Sequence, residues 1–484
     1  MPESQTVEEP TKNSKVLTVI FVILASLVVL VLAAFFGGAY YFSSHFLPNT
    51  TVNGSDVSLM SVDELKEQID NRSKGFAISV KGDGLDTSIK GEDFNLVSDG
   101  TSYSQQAINL VPYWFWPMEF NREHSYQVDE GLSYDSDKLS EIVTGLVEPI
   151  NAAGTPTTDA TLIYDEQNKT YKIQPEALGT QIDPKLTTKV IDEAAAGLID
   201  EVSLDNNQLY QPNVFSDDSR LTTSAERAND MMSQPISLTI DGKEVATIDP
   251  AILQQGIRIE DGGFTVTFNG GKLAEWAQND LSKVLDTVGT PRNFARPDGK
   301  QITVSGGTYG WVIDGFQMAA TVTNILNSGM HSAVELPTKS RGTTWQPGGR
   351  EWGRYIDCDL GEQYARFYDE TGTVIWESAI VSGNTTTGHG TPEGVWVINA
   401  KMTNQLLIGL DENHDGQPDY KTPVDYWMPF VDNLVAFHDA SWRGSFGGSI
   451  YSYDGSHGCV NLPYGKAVEL FGICNEGDVV VSHW

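Results

Sequence analysis

The 484-residue chain predicts a multidomain protein: an N-terminal transmembrane helix, α+β repeat modules, and a C-terminal mostly-β domain. Three observations carry that expectation. Residues 16–44 contain no charged side chain across 29 positions. A Gly-x-x-Ile-Asp element occurs at 179–183 and again at 310–314, an offset of 131 residues. From Tyr355 onward, short β-like runs alternate with Gly- and Pro-rich turns. The length implies several domains. A composition with 40% hydrophobic and 20% charged residues excludes wholesale disorder.

Charge narrows the function classes. There are 65 acidic and 31 basic residues, for a net charge of −34. A nucleic-acid partner is excluded, because phosphates need a basic face to meet them. The acidity is spread along the chain: residues 350–484 hold 19 acidic and 7 basic side chains, and the remainder hold 46 and 24. It therefore reads as solubility and self-repulsion. Three cysteines are too few for a disulfide scaffold.

Residues 1–15 form a polar tail, and 16–44 are read as the membrane anchor. As a helix the anchor would run about 43 Å at roughly 1.5 Å per residue, while the hydrocarbon core needs only about 30 Å. Tyr40, Tyr41 and Phe42 fall where an interfacial aromatic belt would lie. A cleaved signal peptide is the rival reading, but its apolar region would be shorter. Lys12 and Lys15 precede the span and the next basic residue is Lys66. The positive-inside rule then places the N-terminus in the cytoplasm and about 440 residues outside.

Residues 45–219 are expected to hold a stalk and a first α+β region, and 220–347 a second. Ser61 with Glu64 three residues on is a capping box opening a helix at Val62. Alternation in FAISV, 76–80, predicts a strand. Each Gly-x-x-Ile-Asp copy sits after a strand and before a helix, so its Asp reads as a helix cap and its Gly as a turn. Between the copies, Asp241–Gly242 centres a hairpin over 236–248, and a helix follows at 272–285. With the endings Tyr210-x-Pro212 and Trp345-x-Pro347, these modules resemble the repeats, assigned to peptidoglycan binding, that precede the catalytic domains of Gram-positive cell-wall transpeptidases. The Gly and Asp themselves are given no binding role.

The C-terminal region, 348–484, carries the chemistry. It reads as strands around YIDCDL, QYARFYD, TVIWESAIVSG, GVWVINAKM, LVAFHDA and DVVVSHW, with one helix after Tyr464. His438 ends an apolar run, which aims its ring at a cleft. Cys459 follows Gly458 in Ser-His-Gly-Cys, so a carbonyl substrate can approach the thiol, and the Gly458 and Cys459 amides are candidates for an oxyanion hole. A thiol attacks only as thiolate, which needs a base nearby.

His438, 17 intervening residues, then Ser456-His457-Gly458-Cys459-Val460-Asn461 matches the signature of the YkuD-type L,D-transpeptidases in residue type and spacing. GHGTPEGVW at 388–396 resembles the family's Thr-Pro-x-Gly strand, and YWMPF at 426–430 its cleft segment. The resemblance implies a mostly-β YkuD-like catalytic domain with Cys459 as nucleophile and His438 as general base. The backbone carbonyl of Asp439 would orient His438, and His457, Ser456, Gly458 and Asn461 would shape the pocket. It implies a membrane-anchored acyltransferase of cell-wall biogenesis and cell shape. Its partners would be peptidoglycan stem peptides, as donor and acceptor, and the membrane. D-Ala leaves, and a 3→3 cross-link forms through a Cys thioester that requires no cofactor. Two further readings stand beside it: an L,D-carboxypeptidase using water as acceptor, and a non-catalytic membrane-anchored wall-binding protein, against which the intact Cys459/His438 pair argues.

The remaining chemistry-bearing residues are read more plainly. Cys358 and Cys474 are taken as two buried thiols, with a disulfide as the alternative. His45, His124, His331, His389 and His483 show no ligand spacing and are read as structural or surface. Asp411, Asn413, Asp415 and Asp419 around Gly416 follow the spacing of a calcium loop, but Thr422 stands where the bidentate Glu belongs. An acidic hairpin tip is the expectation there, and a structural calcium the alternative.

Overall fold

The computed structural model describes residues 12–411 and 414–484. The chain forms two compact units: residues up to 161 together with 174–216, and residues 162–173 together with 217–484.

The first unit begins with the helix Lys12–Phe42, whose apolar surface is exposed until its last turns. Ala39 and Phe42 there are buried, and Phe42 joins Phe46, Leu47, Leu65, Ile69 and Tyr103 in one core. The helix Val62–Arg72 starts on the capping box expected of Ser61 and Glu64, with both reciprocal bonds made. A second core lies between the sheet of Ala77–Gly82, Leu85–Lys90 and Glu201–Ser203 and the helices Ser136–Ala153 and Pro184–Ala196. Asp183 caps the latter helix, accepting from the amides of Lys185 and Leu186.

The second unit repeats that device. Asp314 caps Gly315–Asn327 through the Gln317 amide. The hairpin Ile236–Ile240/Lys243–Ile248 turns at Asp241 and Gly242, both at positive φ, as the Asp-Gly pair predicts. The helix expected over 272–285 forms, but a π-turn at Ala277–Leu281 interrupts it.

Two sheets make the C-terminal domain. Five strands run in the order Val374–Ala379, Tyr364–Tyr368, Tyr355–Asp359, Val479–His483, Gly394–Val397. Four run Met402–Ile408, Lys421–Val431, Val435–Asp439, Val460–Leu462. A core of Ile356, Phe367, Phe430, Phe437 and Val480 joins the sheets to the helix Tyr464–Ile473 through Leu470. Cys358 and Cys474 belong to that core as free thiols, and Cys474 Sγ lies 3.5 Å from Met428 Sδ.

The hairpin Gly289–Ala295/Gln301–Gly306 is tied to this domain by two arginines. Arg292 Nη2 lies 3.0 Å from Glu351 Oε2, and both side chains are fully buried. Arg296 Nη1 bonds Asp357 at 3.0 Å and Asp359 at 2.9 Å. Removing one partner of a buried pair strands the other charge in low dielectric. Arg292→Ala is therefore expected to lower the unfolding free energy of this unit by about 3–5 kcal/mol. Lys272→Ala, which breaks only the exposed pair with Glu275, should be near-silent. Urea titrations of the full chain followed by circular dichroism compare the two, and equal midpoint shifts would show that the buried pair has no special weight.

Candidate active site

His438 sits on Val435–Asp439, a strand buried at every position. Its ladder partners decide its surroundings. Trp427 lies opposite it in the antiparallel register, and Asn461 beside it in the parallel one. The imidazole is stacked between Trp427, at 5.7 Å between ring centroids, and Trp442, at 6.0 Å. Its Nδ1 donates to the carbonyl of Asp439 at 2.8 Å, which leaves Nε2 as the acceptor nitrogen. Nε2 accepts from Asn461 Nδ2 at 3.0 Å. The Asn461 amide is held in that sense because its oxygen accepts from Arg443 Nε at 2.7 Å. The Asp439 carboxylate is engaged elsewhere, accepting from the amides of Asp425 and Tyr426.

Cys459 ends the Ser-His-Gly-Cys turn, one residue before the strand Val460–Leu462. Ser456 Oγ accepts from the Gly458 amide at 3.1 Å and donates to the Cys459 carbonyl. The Gly458 amide is thus spent inside the turn, and of the two amides proposed for an oxyanion hole that of Cys459 is the candidate left. Gly458 has φ +117°, a conformation that side chains rarely adopt. Thr391 Oγ1 donates to the Gly458 carbonyl at 2.7 Å, so the Thr-Pro-x-Gly segment acts as a buttress of the nucleophile turn.

Both reactive groups line one cavity of about 410 Å³, together with Trp427, Trp442, Arg443 and Leu406. That volume suits a small peptide-sized ligand. The hairpin Met402–Ile408/Lys421–Val431 forms a wall of it. Sequence periodicity missed its first strand, whose apolar side chains at Leu406 and Ile408 border the cavity and stay exposed.

The resting pair is neutral. Burial pushes the Cys459 thiol up to about 11, offset only in part by the Ala436 amide. Burial also holds His438 below the ordinary imidazole range, against the pull of the Asp439 carbonyl. Cys459 Sγ donates to the Leu434 carbonyl at 3.5 Å, and His438 Nε2 is occupied by Asn461. Proton transfer between them requires the thiol to leave the Leu434 carbonyl and Asn461 to release Nε2.

His457 is exposed, with its ring against His389 at 4.6 Å and Tyr420 at 5.1 Å. The spacing of 68 residues between His389 and His457 gives no sign of this contact, and only folding brings the two rings together. In the acidic loop, Asp411 accepts from the amides of Asp415 and Gly416, as a capped turn does. Asn413 lies outside the described residues. Among the described residues, the cluster with metal-ligand spacing is Asp357, Asp359 and His483, and Arg296 and Lys300 already neutralise it.

Residues 353–481 match the YkuD family model, the L,D-transpeptidase catalytic domain. No curated protein matches the chain. Among solved structures, the Ldtfm–avibactam carbamoyl enzyme is 28% identical, over 55% of this chain and 99% of its own, at TM-score 0.45. An L,D-transpeptidase mutant from Enterococcus faecium is 26% identical, over 53% and 98%, at 0.43. The separate catalytic domain of the E. faecium enzyme is 39% identical, over 27% and 96%, at 0.24.

With His438 as the base, the ring must be neutral to accept a proton, and activity is then expected to be lost as pH falls through its pKa. Since that pKa is lowered, the acid limb of kcat/KM should lie below the ordinary imidazole value of about 6.5. Asn461→Asp places a carboxylate against Nε2 and should move the limb up by roughly one to three units. An unmoved limb in Asn461→Asp would mean that Nε2 is not the titrating acceptor.

Proposed function

We propose that this chain, whose residues 353–481 belong to the YkuD family of L,D-transpeptidase catalytic domains, joins peptidoglycan stem peptides by 3→3 cross-links. The observation that supports this most is the pair itself: a half-buried thiol and an imidazole with an unprotonated Nε2, both lining one cleft. The thiol proton passes to His438 Nε2 as sulfur attacks the carbonyl of the third stem residue. The Cys459 amide donates to the developing oxyanion. The bond to D-Ala breaks, and the imidazolium returns the proton to the departing amine. The amine of a neighbouring stem then attacks the thioester, its proton goes to Nε2, and the thiol is restored. The thioester conserves the energy of the donor bond, so the sequence of steps draws on no metal or organic cofactor.

The N-terminal helix is proposed as a retained anchor, with Lys12 and Lys15 on the cytoplasmic side and the catalytic domain at the wall. The burial of Ala39 and Phe42 supports retention, because cleavage beyond them would strip side chains from the first core.

Mass spectrometry of muropeptides incubated with the enzyme tests the reading. Wild type should yield 3→3 dimers and free D-Ala, whereas tripeptides without dimers would point to water as acceptor. Cys459→Ala and His438→Ala should each abolish D-Ala release, and near-wild-type release from Cys459→Ala would end the proposal. By the family resemblance, a carbapenem should add to the intact protein once, with the adduct mapping to Cys459.

A further inference from the structure

The segment Tyr113–Glu119 and the residue after it, Phe120, carry an unusual surface. Trp114, Phe115, Met118 and Phe120 are 50%, 61%, 69% and 40% exposed. Four large apolar side chains within seven residues make a contiguous patch that a solvated loop does not ordinarily show. The patch adjoins the N-terminal helix. Trp116 Nε1 donates to the carbonyl of Phe35 at 3.0 Å. Phe36 meets Trp114 edge-on at 6.4 Å, and Phe42 packs against Trp116 at 5.7 Å and Phe120 at 6.2 Å. Gly38 makes this possible: a Cβ there would fall 2.3 Å from Trp116 Cε2.

Helix length says where this joint lies. The apolar stretch Lys15–Phe42 has 28 residues. That is about 42 Å of helix for a hydrocarbon core of about 30 Å. The surplus is about two turns, and the joint occupies the last two turns, from Phe35 to Phe42. The aromatic segment therefore sits at the level where the helix leaves the hydrocarbon, the depth that Trp and Phe side chains favour.

We infer that Trp114, Phe115, Met118 and Phe120 are an interfacial wedge that inserts into the outer leaflet beside the anchor. The inference rests on the helix being a retained span. The occupant is the lipid boundary, because the patch is continuous with the exposed apolar surface of the helix at Phe36 and Tyr40. The neighbouring charges are Glu119, Arg122 and Glu123, and Arg122 is paired with Glu119 at 2.8 Å. With no free cationic cluster beside these charges among the described residues, insertion is apolar in origin and indifferent to anionic lipid. The wedge holds the first module at a set height above the bilayer.

The test uses the full chain in phosphatidylcholine vesicles, in a Cys459→Ala background where Cys358 and Cys474 stay buried. Single cysteines at Phe115→Cys, Met118→Cys, Asp86→Cys and Val28→Cys carry an environment-sensitive dye. Shallow spin-labelled lipid should quench the dye at Phe115→Cys and Met118→Cys several-fold more than at the exposed Asp86→Cys, unchanged when phosphatidylglycerol is added. Deep spin-labelled lipid should quench Val28→Cys. Water-like emission at Phe115→Cys and Met118→Cys with Val28→Cys quenched would overturn the wedge and leave the anchor standing. An unquenched Val28→Cys would overturn the anchor, and the wedge with it.

Discussion

The hydrogen bond from His438 Nδ1 to the carbonyl of Asp439, 2.8 Å long, sets the chemistry of the cleft. It selects the tautomer, and so decides that Nε2 is the nitrogen able to take a proton. A carboxylate in that place would stabilise the imidazolium and raise its pKa. A carbonyl does so more weakly, and burial prevails, so the ring stays neutral. The Asp439 carboxylate is kept out of the role by the two backbone amides of the adjacent strand that it accepts from. Trp427 and Trp442 fix the ring from its two faces.

A neutral base beside a neutral thiol has a chemical consequence. With its thiol pushed up to about 11, Cys459 holds little thiolate at rest. Oxidants and stray electrophiles attack thiolate, so the resting thiol is shielded from them.

The scaffold delivers this arrangement from distant parts of the chain. Thr391 clamps the Gly458 carbonyl from a segment 67 residues earlier. Gly307 bridges Val395, and the Arg292 and Arg296 pairs fasten the same hairpin to the two ends of the region around Glu351 and Asp357. The residues preceding the catalytic domain thus share its stability. Buried arginine–carboxylate pairs of this kind depend on both partners, since loss of either strands the other's charge.

Much of this protein follows from local rules, and those parts were legible in the sequence. The capping box at Ser61 and Glu64, the Asp caps at 183 and 314, the Asp241–Gly242 turn and the long apolar helix are each settled by neighbours a few residues apart. The family of the C-terminal domain was legible too, because the motif around Cys459 concentrates chemistry-bearing residues in a short span. What the sequence left open depends on non-local contact. The pairing of Asn461 with Nε2, the meeting of His389 with His457, the use of the Gly458 amide by Ser456, and the free state of Cys358 and Cys474 all follow from strand register and turn geometry. The hairpin wall at Met402–Ile408 escaped periodicity because a strand facing a cleft does not alternate apolar and polar residues as one over a core does. Spacing along the chain singled out Cys459 and His438, but only the register between Val435–Asp439 and Val460–Leu462 decided which atoms face each other, because side-chain geometry is set by ladder partners far apart in sequence.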